Sequence, residues 1–128
     1  MNTRIITTAA ILGMLAVITG AFGAHALKAK LEPPQLQVWG TAVQYQFYHV
    51  FALLFLAALN KSDSNLVYAS YWLFTFGILF FSGSLYLLSC SGVLQWSWLR
   101  ILGPITPIGG LLFIAGWVTL ALSALKGK

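Results

Sequence analysis

The chain has 128 residues, 59% hydrophobic and 7% charged, against roughly half and a quarter in soluble domains, so a water-soluble globular domain is excluded. Seven basic and two acidic residues leave a net charge of +5, yet the basic residues are scattered near the ends of apolar stretches and form no stripe able to follow a nucleic-acid backbone, which excludes nucleic acid as a partner. The single cysteine, Cys90, excludes an intramolecular disulfide and a cysteine-based metal cluster.

Four apolar stretches, residues 5–27, 39–59, 66–89 and 101–125, fill most of the chain. A helix rises about 1.5 Å per residue and a bilayer core is about 30 Å thick, so each stretch crosses a membrane once. The expectation is an all-α membrane protein: a four-transmembrane-helix antiparallel bundle, one integral domain over residues 1–128, with the lipid bilayer as its first partner.

The first stretch opens after Arg4 and ends in Ala24-His25-Ala26, a small-x-small pattern like a secretory cleavage site. Its spanning length and its Gly13, Gly20 and Gly23, spaced for packing against another helix, favour retention. The connector over 28–35 contains Pro33-Pro34, which ends any continuing helix. A second helix is expected to begin over 35–38, with Trp39 as an interfacial anchor.

Within the second stretch, Thr41, Tyr45 and His49 form a ridge, with Gln44 and Tyr48 beside it and Gln46 further round. Polar groups are costly in hydrocarbon, so this face is expected to turn toward the other helices. His49 lies at mid-span. It is either a proton or substrate relay with Tyr45, Gln44 and Tyr48, or a neutral imidazole bonded to a serine, threonine or carbonyl across the bundle. The lack of Asp, Glu, Lys or Arg deep in any stretch favours the second. A two-histidine metal site with His25 would lack acidic or cysteine ligands, so no metal or other cofactor is expected.

Residues 60–65 read as a tight polar turn, with Ser62, Asp63 or Ser64 capping the third helix. Residues 91–100, with Trp96 and Trp98, are apolar enough to lie in the headgroup layer. The fourth stretch opens through Gly103, Pro104, Thr106, Pro107, Gly109 and Gly110. The regular helix should begin near Pro104 or Pro107, after a bend that exposes backbone groups of the kind transporters use at binding sites.

Small residues recur at seven-residue spacing: Ala9, Ala16 and Gly23; Ser70, Gly77 and Ser84; Gly109, Gly116 and Ser123. With Gly13 and Gly20 they predict packing seams in which backbones approach closely. No catalytic set is visible. Ser82-Gly83-Ser84 lies in a membrane stretch without a base–acid pair, and Glu32 and Asp63 sit in connectors on opposite sides of the bilayer. The chain therefore reads as no enzyme.

Orientation is weakly encoded. Arg4, Lys61, Lys126 and Lys128 share one side, Lys28, Lys30 and Arg100 the other, and this thin excess of positive charge leans toward both termini in the cytoplasm.

Together, residues 20–28 (Gly-Ala-Phe-Gly-Ala-His-Ala-Leu-Lys), 41–46 (Thr-Ala-Val-Gln-Tyr-Gln) with His49 and 52–54 (Ala-Leu-Leu), 81–86 (Phe-Ser-Gly-Ser-Leu-Tyr) and 103–110 (Gly-Pro-Ile-Thr-Pro-Ile-Gly-Gly), closed by Gly116-Trp117, resemble the YgdD/YwdK-type family of small membrane proteins of unknown function. The resemblance covers nearly the whole chain. It implies a four-helix bacterial inner-membrane protein with the first segment retained, and it carries over no substrate, cofactor or catalytic residue. Two functions stand open: a structural or accessory component that packs with itself or a larger membrane partner, and a small oligomeric transporter or channel using the polar face of the second helix.

Overall fold

The computed structural model describes residues 2–59 and 64–126. Among them the regular structure is helical, and four spans are long and apolar enough to cross a membrane: Thr3–Ala29, Pro33–Ala58, Asn65–Ser89 and Ser97–Lys126. Helix α1 (Thr3–His25) starts at Asn2, whose side chain accepts the Ile5 amide, and runs into a 3-10 turn, Leu27–Ala29. Helix α2 covers Pro33–Ala58, α3 Asn65–Gly77, α4 Gly83–Ser89, α5 Ser91–Leu94 and α6 Ile105–Lys126.

The proline pair does not merely stop the preceding chain; it opens α2 at the first two helical positions. Proline lacks only an amide that a helix start leaves unbonded anyway, and its fixed φ suits that position. The second helix therefore begins earlier than expected. Trp39 is a buried packing residue rather than an interfacial anchor. Ser64 caps α3 by accepting the Val67 amide, while Ser62 and Asp63 lie outside the described residues. The third span is interrupted by a π turn, Ile78–Ser82, between α3 and α4, which the apolar pattern did not signal. A 3-10 segment, Ser97–Leu102, leads into α6, and Trp96 and Trp98 stack on each other at its exposed start, 5.8 Å apart.

The spans pack as antiparallel neighbours. α1 lies along α2, and α6 lies along the third span, which also packs against α2. The third span reaches α1 through tyrosines: Tyr71 meets Thr8 at 2.8 Å, Tyr86 meets Thr19 at 3.0 Å, and Tyr68 accepts from Asn2 at 2.8 Å. Ile5, Ala9, Leu53, Leu56, Val67 and Phe74 form the centre of one apolar core. Trp39 centres a smaller one with Leu27 and Leu31 toward the 28–35 connector. Large apolar side chains such as Val17, Phe51 and Leu111 stay exposed on the outside, as on a bundle whose solvent is lipid.

Candidate functional site

The buried face of α2 follows Trp39, Ala42, Gln46, His49, Leu53 and Leu56, a run of three- and four-residue steps that makes one helical stripe. Two polar side chains lie on it, Gln46 and His49, exposed by only 3% and 4%. The face expected from sequence does not turn inward as a whole: only His49 is buried. Tyr45 and Tyr48 are 38% and 54% exposed, Gln44 is exposed and Thr41 half-buried. On a wheel of about 100° per residue, Gln46 falls about 60° to one side of His49 and Gln44 about 140° to the other. The small and aliphatic residues Ala42, Leu53 and Leu56 fix which side turns inward, and the polar-aromatic ridge is carried to the edge and outside.

His49 points toward α6. Its ring stacks on Phe113, centroids 3.6 Å apart and planes 8° from parallel, and is flanked by Phe74 and Trp117. The Trp117 indole N–H donates to His49 Nε2 at 3.1 Å. Nδ1 lies 2.8 Å from the Tyr45 carbonyl oxygen. An indole N–H can only donate and a carbonyl can only accept, so Nε2 is the acceptor and Nδ1 carries the proton. His49 is thus a neutral imidazole with both nitrogens occupied. Its bundle partner is an indole rather than the expected serine, threonine or cross-bundle carbonyl.

Gln46 points toward α1. Its amide donates to the Leu12 carbonyl at 2.7 Å and accepts from the Tyr86 hydroxyl at 2.6 Å. Tyr86 packs on Trp39, whose N–H donates to the Thr19 carbonyl at 2.8 Å. One network thereby joins α1, α2 and α4. Gln46, which the polar ridge leaves further round, carries this network with Tyr86; the usable signal is that Gln46 shares its stripe with Ala42 and Leu53.

The other contacts between helices carry short ties as well. Ser82 Oγ donates to the Ala42 carbonyl at 2.7 Å. Ser70 Oγ lies 2.5 Å from Thr119 Oγ1, and Ser84 Oγ 2.5 Å from Thr106 Oγ1. Among the described residues, no buried side-chain nitrogen or oxygen lacks a hydrogen-bond partner.

The small residues act mainly as sockets for rings. A Cβ built on Gly77 would lie 2.5 Å from the Phe113 ring, one on Gly116 2.6 Å from the Phe74 ring, and one on Gly23 2.5 Å from the Trp39 indole. The first two interlock, each of α3 and α6 lending a glycine to the other's phenylalanine. Gly109 is the position where backbone meets backbone, against Phe81 of the π turn. Gly13 and Gly20 make ordinary contacts with Val50 and Val43, and Ser84 is the tie to Thr106. The first turns of α6 pack at Thr106 and Gly109, whereas Gly103, Pro104 and Pro107 are exposed. Pro107 sits in the first turn of α6, where its missing amide costs no helical bond. His25 is exposed at the end of α1, far along the bundle from His49, whose neighbour Val50 packs at Gly13.

The family model described as a protein of unknown function, DUF423, matches residues 19–110. The chain is 44% identical over 119 residues to the UPF0382 membrane protein YwdK of Bacillus subtilis, covering 91% of this chain and 92% of that one. It is 48% identical over 113 residues to a UPF0382 membrane protein of Staphylococcus haemolyticus, 88% of each chain. A UPF0382 membrane protein of Staphylococcus saprophyticus is 48% identical over 113 residues, 88% of this chain and 89% of its own. No solved structure matches.

Proposed function

This chain belongs to the DUF423 family of membrane proteins of unknown function, and we propose that it is a non-enzymatic structural or accessory component of the bacterial inner membrane, acting through helix packing with itself or a larger membrane partner. One observation carries this reading: among the described residues, every buried polar side-chain atom already has a hydrogen-bond partner within the chain. His49 has a partner at each ring nitrogen, and both ends of the Gln46 amide are bound. A transport path needs polar groups free to exchange partners with a passing solute. Of the residues that would have formed one, only His49 is buried; Gln44, Tyr45 and Tyr48 are exposed and Thr41 is half-buried.

The same proposal places both termini in the cytoplasm, on the excess of Arg4, Lys61, Lys126 and Lys128 over Lys28, Lys30 and Arg100. Single cysteines placed at position 30 or 126 in a Cys90→Ser background test this. An impermeant thiol reagent should label position 30 in intact cells and position 126 only after lysis.

The functional reading is tested by crosslinking in native membranes followed by affinity capture. One discrete complex, of this chain with itself or with a membrane protein, is the expected result. An uncrosslinked monomer in the membrane, together with solute flux through proteoliposomes of the purified protein, would replace the packing reading with transport.

A further inference from the structure

Between α1 and α2 an open groove of about 320 Å³ runs along the outside of the bundle, near the lower end of the roughly 300–1,000 Å³ usual for ligand sites. Gly20, Trp39, Gly40 and Val43 line it, with Lys28 toward the connector end and Gln44 toward the membrane interior. Gly40 leaves the floor open: a Cβ built there meets nothing within 4 Å. Exposed Val17 on α1 and Tyr48 and Phe51 on α2, on the same sides of their helices as Gly20 and Gly40, place the groove on a flank that faces lipid.

Charge chooses among lipids. Lys28 follows α1 at the membrane edge and forms no ion pair or hydrogen bond with the described residues. A free cation at the headgroup level draws an anionic phosphate. Gln44 adds a second polar contact. Its amide makes no hydrogen bond with the described residues, although it lies about two turns deeper than Leu36. Side chains on a helix lean toward its N-terminus, and the N-terminus of α2 is on the Lys28 side. Gln44 therefore reaches back up the groove, toward the depth of a phospholipid's ester carbonyls.

We propose that this groove is a binding site for one anionic phospholipid, its phosphate on Lys28, an ester carbonyl accepting from the Gln44 amide, and an acyl chain lying over Gly40 against Trp39. The inference goes beyond the packing role and does not depend on it.

Native mass spectrometry of the full chain in mild detergent tests it, with phosphatidylglycerol and phosphatidylcholine of identical acyl chains as probes. One phosphatidylglycerol should stay bound in preference to phosphatidylcholine. Lys28→Gln, an exposed change, should lower the phosphatidylglycerol affinity about fivefold and leave phosphatidylcholine unaffected. Gly40→Leu, which fills the groove, should abolish the adduct at an unchanged melting temperature. Equal retention of the two lipids by the unaltered protein would overturn the proposal, as would an adduct that survives Gly40→Leu. A dimer that Gly40→Leu converts to monomer would also overturn it, by making the occupant a second copy of this chain.

Discussion

The His49 imidazole and the Phe113 ring lie face to face, 3.6 Å between centroids, and the far side of the phenylalanine rests on the bare backbone of Gly77. Three spans meet in this stack: α2 gives the histidine, α6 the phenylalanine, α3 the glycine. Lipid tails are as apolar as leucine, so apolar burial alone does not draw helices together in a bilayer. Ring-in-socket packing and polar ties supply the specificity.

Gly77→Ala should force the Phe113 ring from its socket, because the new Cβ would stand 2.5 Å from it. A loss of about 1–3 kcal/mol is expected, as for overpacking elsewhere, read as a lower melting temperature in detergent. Gly83→Ala is the matched control. Its Cβ meets nothing within 4 Å, and replacing a helical glycine should be neutral or stabilise by up to about 1 kcal/mol.

His49→Ala removes the stack and leaves the Trp117 N–H without its acceptor. About 2–4 kcal/mol of stability should be lost. His49→Phe, which keeps a ring over Phe113 but no acceptor, should recover part of it. Unchanged melting accompanied by loss of a cellular phenotype would speak for a chemical role instead.

Gln46→Leu should cost about 1–3 kcal/mol, since the Leu12 carbonyl loses its side-chain donor and the Tyr86 hydroxyl keeps only Thr19 as a partner. Tyr48→Phe, at an exposed position on the ridge that sequence reading favoured, should change stability by less than about 0.5 kcal/mol. Comparing these two melting curves decides which face of α2 is structural.

Ser84 and Thr106 form a tie between α4 and α6. A double-mutant cycle through Ser84→Ala and Thr106→Ala should return a coupling near 0.6 kcal/mol, about the average for hydrogen bonds between membrane helices. A coupling of zero would mean that the pair is a contact without consequence.

How much of this was legible follows from what each signal measures. Span number follows from length against bilayer thickness, and four uninterrupted apolar runs leave little choice. The rotation of α2 was harder to read. His49, Tyr45 and Thr41 make a persuasive polar ridge, yet it is Ala42, Leu53 and Leu56 that fit the neighbouring helices. Polarity says that a group needs a partner, not which helix supplies it, so Gln46 was passed over. The π turn over Ile78–Ser82 leaves no trace in hydropathy, because a π turn changes backbone bonding and not composition. The seven-residue spacing marked Gly77 and Gly116 as contact positions, but not that phenylalanine rings would fill them: a glycine shows where space is made, not what enters it.

At the centre of the bundle, His49 is a neutral crosslink between α2 and α6. Nitrogen-15 NMR of histidine-labelled protein in lipid bilayers reads this directly. The prediction is a protonated Nδ1, an unprotonated Nε2 coupled to the Trp117 indole proton, and no exchange of the ring proton with bulk water. Two protonated nitrogens, or rapid exchange with water, would contradict it and return His49 to the role of a relay.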